Sequence, residues 1–187
     1  VPMLTFTDSL PERPRKVLVA GTSASGKTTL ARAIGERLDL PHIEIDALFH
    51  GPDWTPRETF LAEVEEFSSR PGWVTEWQYT SVRPMLAERA DLMVWLDLSR
   101  TVVMRQVVRR TVRRSVRKQQ LWNGNYEPPL RTVFTDPDHI IRWAWKTHQE
   151  NADRIAALHD QRPDLAIVRI PSHTAARQWL DGPIASA

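Results

Sequence analysis

Gly21-Thr22-Ser23-Ala24-Ser25-Gly26-Lys27-Thr28 decides the reading of this chain. The eight residues satisfy GxxxxGK[ST] and stand between two segments of different period. Before them, Lys16–Ala20 (KVLVA) is a short, β-branched apolar run, the mark of a buried strand. After them, Leu30, Ile34 and Leu38 recur every four residues, the mark of one helical face, up to Leu40-Pro41. Strand, glycine loop and helix in that order make a phosphate cradle. Gly21 and Gly26 allow torsions closed to other residues, so successive N–H groups can curl round an anion. The helix beyond them points its positive N-terminus at the same place. In such a cradle Lys27 reaches the β and γ oxygens of ATP, and the Thr28 hydroxyl ligates Mg²⁺. The expected nucleotide-binding segment is therefore Gly21, Thr22, Ser23, Ala24, Ser25, Gly26, Lys27, Thr28 and Thr29.

Outward from the loop, strand and helix patterns alternate. His42–Asp46 (HIEID) reads as a second strand, and Thr59–Ser68 as a helix on Phe60, Leu61, Val64 and Phe67. Trp73–Trp77 and Leu92–Leu98 are the next strands, separated by a helix around Val82–Arg89. Thr101–Lys118 is a long helix, Pro137–His159 contains another, Leu165–Ile170 is the fifth strand, and Ala175–Leu180 closes the series. This alternation implies right-handed crossovers and a parallel α/β sheet between helices. Residues 1–15, with Pro2, Pro11 and Pro14, read as a loose arm. Residues 16–187 read as one domain with a lid insertion at about 110–135, where Gly124, Pro128 and Pro129 break the period.

Composition removes several classes. The chain has 187 residues, 41% hydrophobic and 26% charged, as in an ordinary globular protein large enough for its own core. No apolar run approaches the ~20 residues of a membrane span, and Val1–Arg15 lacks the apolar stretch of a signal peptide. There is no cysteine, which excludes disulfides, a thiol catalyst and Cys-ligated metal; a reducing cytoplasm fits. Net charge is only +2, but Leu98–Tyr126 carries no acid and eight bases: Arg100, Arg105, Arg109, Arg110, Arg113, Arg114, Arg117 and Lys118. Such a block either meets an anion or is a solvated face. The glycine spacing is not that of a dinucleotide turn, and no NKxD guanine motif is present. What remains is the small-kinase plan, with an acceptor beside the loop and an Arg-rich lid over the phosphates.

Beyond the loop, the chain resembles the adenylate-kinase-related P-loop proteins often labelled topology modulation proteins, themselves similar to nucleotide, shikimate and gluconate kinases. The marks are GTSASGKTTLA, IEIDALFHGPDW, WVTEWQY followed by Arg83, ADLMVWLDL, the RxxxRRTxRR stretch, LWNGN and a closing VRIPS…WL, together spanning about Arg15 to Leu180. The resemblance implies a three-layer α/β/α fold with a five-stranded parallel sheet in the order 2-3-1-4-5, an Arg-rich helical lid, and ATP with Mg²⁺ as cofactor. One position departs from the pattern: where the family has glycine after the acid of its third strand, this chain has Trp77.

The remaining candidates divide by place. Asp46, read at the end of the second strand, sits at the rim where α/β sheets bind ligands. By resemblance it holds a metal-bound water or an acceptor hydroxyl; an ordinary turn aspartate is the other reading. Glu76 lies in an apolar strand and needs a partner, which a Mg²⁺ water would supply. Asp97 resembles a Walker B acid but reads as structural. In the long helix Val108, Val112 and Val116 form an expected packing stripe, leaving Arg109, Arg113 and Arg117 among the groups free to neutralise phosphate charge. Arg109 and Arg113 are the catalytic candidates of this set, with Lys27 and Asp46. His50 (beside Phe49), Trp54, Arg83 and Arg117 are candidates for the acceptor, and Ser172, after Pro171, for the nucleotide, where related kinases lodge adenine. The six histidines lack metal-ligand spacing, and Ile140, Ile141, Trp143 and Trp145 read as helix core. Together these residues describe a phosphotransferase acting on a small acceptor, a nucleoside or nucleotide first. Two alternatives stay open: a nucleic-acid-associated ATP-binding protein using the basic stretch, and a nucleotide-binding regulator that has lost transfer at Trp77.

Overall fold

The structure, a computed structural model, describes the backbone of residues 3–117 and 140–187 and the side chains of 3–110 and 149–187. Residues 118–135 of the expected lid insertion, with the LWNGN stretch, the Val112, Val116, Arg113 and Arg117 side chains, and those of Ile140, Ile141, Trp143 and Trp145, lie outside the described residues.

The centre of the sheet is β2 (Lys16–Gly21), paired in parallel with β4 (Trp73–Glu76) on one side and β5 (Leu92–Leu96) on the other. A strand covered on both faces and both edges needs an unbroken apolar run, which KVLVA supplies. Its alternate residues serve two layers. Val17 and Val19 pack with Leu30 and Ile34 of α1 (Lys27–Leu38) and Trp179 of α7 (His173–Asp181). Leu18 and Ala20 pack with Phe60 of α3 (Phe60–Ser68), Leu86 of α4 (Arg83–Arg89) and Ile155 of α6 (Ile140–Gln161). The result is helices on both faces of a parallel sheet.

The sheet corrects the expected five strands in the order 2-3-1-4-5. Among the described residues it has six, in the order β1-β6-β5-β2-β4-β3. The additional strand, β1 (Leu4–Thr5), belongs to the stretch expected to be a loose arm and pairs in parallel with β6 (Ala166–Ile170). Two residues carry too little pattern to be read as a strand; an available edge on β6 and the Asp8 carboxylate, which accepts from the Thr5 amide and hydroxyl, hold them there. Without this edge strand the others lie β3-β4-β2-β5-β6.

Two further expectations change. HIEID is a strand only at β3 (His42–Ile43); the chain then turns into the short helix α2 (Ile45–Phe49). Asp46 therefore stands in the first turn of a helix instead of ending a strand. Among the described side chains of α5 (Arg100–Arg117) the buried positions are Val103 and Val107, whereas Val108, expected in the packing stripe, is 43% exposed. Among the described residues no helix is long and apolar enough to cross a membrane.

Candidate active site

The loop after β2 has the torsions its glycines foretold. Gly21 has φ +153° and Gly26 φ +98°, and a Cβ on Gly21 would lie 2.8 Å from Ser25 Oγ. Gly26 immediately precedes α1, whose first-turn amides have no partners within the helix. Thr22, Ser25 and Lys27 are buried polar residues in this curl. The Ser25 hydroxyl is buried with no hydrogen-bond partner among the described residues, an orphan that a phosphate oxygen would satisfy. Lys27 Nζ donates to the Thr22 carbonyl at 3.1 Å. Burial pulls the Lys27 ammonium down to about 8, against attraction from Asp46 and Glu76, while Arg110 and Arg83 add repulsion. A desolvated cation under a curl of amides fits a polyphosphate with its metal, and Thr28, the second residue of α1, is half-buried beside it.

Facing the lysine is an acidic cluster. Glu76 is 1% exposed, and the partner it requires is the chain itself: Oε1 bonds His42 Nε2 at 3.1 Å and Oε2 accepts from the Ile45 amide at 3.2 Å. Burial works to raise its pKa, but His42 and the Ile45 amide outweigh that and hold the carboxyl below the usual carboxylate range. Asp46 Oδ1 accepts from Gln78 Nε2 at 2.8 Å and from the Tyr79 hydroxyl at 2.6 Å. Since the tyrosine proton goes to the carboxylate, the 3.1 Å contact between Tyr79 Oη and His50 Nε2 has the histidine as donor. Burial pushes His50 below its ordinary pKa, against the pull of Asp46. The Tyr79 ring stacks on Phe49 with centroids 3.9 Å apart, and its backbone sits at φ +59°. A bulky residue in that region is strained, and the strain is maintained by the stack and the two hydroxyl bonds. Trp54, 36% exposed and also at positive φ, meets His50 edge-on at 5.0 Å.

The basic side is built from three helices. Arg110 of α5 donates to Ser23 Oγ at 3.4 Å, and Asn151 of α6 donates to Thr22 Oγ1 at 3.3 Å. Arg83, first in α4, lies 5.6 Å over the Trp77 ring, whose indole N–H donates to the Arg83 carbonyl. The Arg83 Nε is buried without a hydrogen-bond partner among the described residues. Burial and then the nearby Arg154 lower the Arg83 pKa, against attraction from Glu150.

The sequence candidates thus separate. Lys27, Asp46, Glu76, Arg83, His50 and Trp54 converge beside the loop, directly or through Tyr79. Arg109 is exposed on α5, and among the described residues of that helix its neighbour Arg110 is the arginine that reaches the loop. The Ser172 hydroxyl is occupied, accepting from the Ala175 amide as the N-cap of α7. Asp97 pairs with Arg169. Sequence reasoning missed His42, Gln78, Tyr79, Asn151 and Arg154. Gln78 and Tyr79 lay inside the quoted WVTEWQY motif and could have been found there; Asn151 and Arg154 carried no signal, being distant helix residues.

No family model matches the chain, and no curated protein matches its sequence. Solved structures do. A gluconokinase from Sinorhizobium meliloti 1021 is 24% identical, with a TM-score of 0.55 over 94% of this chain and 95% of its own. A shikimate kinase from Acinetobacter baumannii, in complex with shikimate, is 14% identical, with a TM-score of 0.52 over 89% of each chain. A shikimate kinase from Aquifex aeolicus is 10% identical, with a TM-score of 0.51 over 91% of this chain and 94% of its own. At these identities the likeness is one of architecture, and the architecture shared with these neighbours is the P-loop kinase fold.

Proposed function

We propose that the chain is an ATP-dependent kinase that moves the γ-phosphoryl group to a hydroxyl of a small acceptor. The observation that carries this reading is the buried Lys27 under the glycine loop, electrostatically coupled to Asp46 across the cleft. Phosphoryl transfer asks the protein mainly to position two substrates and to screen charge. Lys27, Arg110 and the first-turn amides of α1 hold the polyphosphate. Asp46 Oδ1 is taken by Gln78 and Tyr79, which leaves Oδ2 as the oxygen for the acceptor hydroxyl. A bond forms from the acceptor oxygen to the γ-phosphorus as the bond to the bridging oxygen of ADP breaks, and the hydroxyl proton leaves toward Asp46. Mg²⁺, when bound, would screen the phosphate charge. Thr28 is suited to hold it directly and Asp46 through water. Glu76, with both oxygens engaged by His42 and Ile45, is suited to setting the α2 helix instead.

Arg83 and Trp54 bound the acceptor side. A nucleoside or nucleotide is the first acceptor to try, on the likeness of the sequence motifs to the adenylate-kinase-related topology modulation proteins. Gluconate and shikimate follow, from the names of the structural neighbours. The acid-free stretch does not require nucleic acid on this reading, because Arg110 within it already turns to the phosphate loop.

The test is ADP production from Mg-ATP across nucleosides, nucleotides and hydroxylated acids, with Lys27→Ala and Asp46→Asn alongside. Stimulation by one acceptor is expected, lost in Lys27→Ala and reduced at least ~100-fold in Asp46→Asn, which keeps its nucleotide affinity. ATP binding with no acceptor able to raise turnover would favour the regulator reading, with Trp77 in the place of the family glycine.

A further inference from the structure

We infer that Tyr79 and His50 are positioning residues for Asp46: the N–H of His50 orients the Tyr79 hydroxyl, and that hydroxyl holds the carboxylate that receives the acceptor's proton. The inference rests on the phosphotransfer reading above, and it moves His50 from the acceptor to a place behind the base.

Asp46 stands on a helix too short to place it. α2 has five residues, and a helix of that length is not held by its own backbone bonds. Its orientation comes from what grips it. Asp46, Phe49 and the C-cap His50 are spaced i, i+3 and i+4, so they share one face, and Tyr79 meets all three. The Tyr79 ring stacks on Phe49 with centroids 3.9 Å apart, and its hydroxyl donates to Asp46 Oδ1 at 2.6 Å. His50 is itself anchored: its amide donates to the Asp46 carbonyl at 3.0 Å, and an antiparallel bridge ties it to Pro56. Its ring meets Phe49 and Trp54 edge-on, each at 5.0 Å.

The carboxylate sets the direction of the bonds. An ionised Asp46 only accepts, so the single phenolic proton goes to Oδ1, and the 3.1 Å contact of Tyr79 Oη with His50 Nε2 has the histidine as donor. Burial, then the charge of Asp46, pushes the Tyr79 phenol up, so it keeps that proton. Two features go beyond packing. A phenylalanine at position 79 would make the same stack, so the hydroxyl adds the link from His50 to Asp46. Tyr79 also holds φ +59°, a strained turn for a bulky side chain. With it one residue does two things: its side chain grips α2, and its carbonyl accepts from the Val82 and Arg83 amides, at 3.1 Å each, where α4 begins.

The experiment is steady-state ADP release from Mg-ATP by the whole chain, with the nucleosides, nucleotides and hydroxylated acids named above. The variants are Tyr79→Phe, His50→Leu, His50→Gln, the double variant Tyr79→Phe/His50→Leu, and Lys27→Ala as the blank, with thermal melting to check folding. Gln78 still holds Asp46 Oδ1 in Tyr79→Phe, so its loss is partial. Its kcat is expected to fall about tenfold to a hundredfold, as for a reacting group displaced by about 1 Å. KM for ATP and for the acceptor should stay within about twofold of wild type. His50→Leu should lose about threefold to tenfold in kcat, the net worth of one hydrogen bond. His50→Gln, whose amide N–H replaces Nε2, should recover most of that. In the Tyr79→Phe background His50→Leu should cost nothing more, because its effect runs through the hydroxyl. An unchanged kcat in Tyr79→Phe overturns the inference and leaves the kinase reading in place. So does a His50→Leu loss that persists in the double variant or appears only in acceptor KM, either of which makes His50 a direct acceptor contact. If Tyr79→Phe fails to fold, the His50 pair decides alone, and no recovery in His50→Gln overturns the inference. If wild type releases no more ADP with any acceptor than Lys27→Ala does, reading and inference fall together.

Discussion

At the residue scale, the function sought from this chain is set against its stability. Lys27 titrates near about 8 in the folded chain, against 10.5 for an ordinary lysine, because burial removes its water. Between those values the unfolded chain binds more protons, so stability rises with pH across that window. Below it, a shift of this size corresponds to a cost of roughly 3 kcal/mol, partly offset by the bond to the Thr22 carbonyl. Lys27→Met is therefore expected to melt several degrees higher than wild type at pH 7 and to bind no ATP. The advantage should shrink as the pH approaches 10. Scanning calorimetry at both values checks it, and a variant less stable than wild type at pH 7 would refute the sign. At this scale the glycine loop was legible from residue type and spacing, whereas the roles expected of Asp46 and Glu76 came from the resemblance. What spacing could not supply was the partner of each. Glu76 is satisfied by His42, thirty-four positions away, and Asp46 by Tyr79, thirty-three away. A carboxylate in an apolar strand announces that it needs a partner without saying which.

At the scale of elements, the α5 helix shows how a right assignment can carry a wrong face. A valine at every fourth position suggested Val108, Val112 and Val116 as the packing stripe. Val103 and Val107 are the valines that join the core layer containing β5, β6 and Trp179, and both are essentially buried. Arg109 consequently lies on the exposed side, and Arg110 is the residue turned to Ser23. Valines on several faces leave the rotation of a helix undetermined until something packs against it. Val107→Ala should therefore cost about 2 kcal/mol through the cavity it leaves, whereas Val108→Ala should stay within about 0.5 kcal/mol of wild type. Urea unfolding of the two variants decides between the faces: equal midpoints would contradict the observed rotation. The α2 helix makes a related point. HIEID alternates as a strand does, but the bond from the Ile45 amide to Glu76, and those from Gln78 and Tyr79 to Asp46, favour a helical turn there.

At the scale of the whole molecule, the N-terminal stretch belongs to the fold's edge and not to its site. Leu4, Phe6 and Leu10 pack on the core layer that contains β6, and β1 covers the β6 edge. Removing residues 1–12 should lower the melting temperature by about 3–8 °C, the equivalent of one to two kcal/mol in a chain of this size, with ATP affinity unchanged. Calorimetry with an ATP titration tests both parts, and a loss of affinity would tie the segment to the site. The sequence by itself determined that a strand, a glycine-pinned loop and a helix follow one another at β2 and α1, that the strands run parallel, and which residues could carry charge. These follow from local constraints: periodicity, glycine torsions and the start of a helix act within a few residues. Only the tertiary structure decided the sixth strand, the helical turn at Asp46, the choice of Arg110 over Arg109, and the partners of Glu76 and Asp46. Each of these depends on which surfaces meet, and distant surfaces meet only after the crossovers have brought them together.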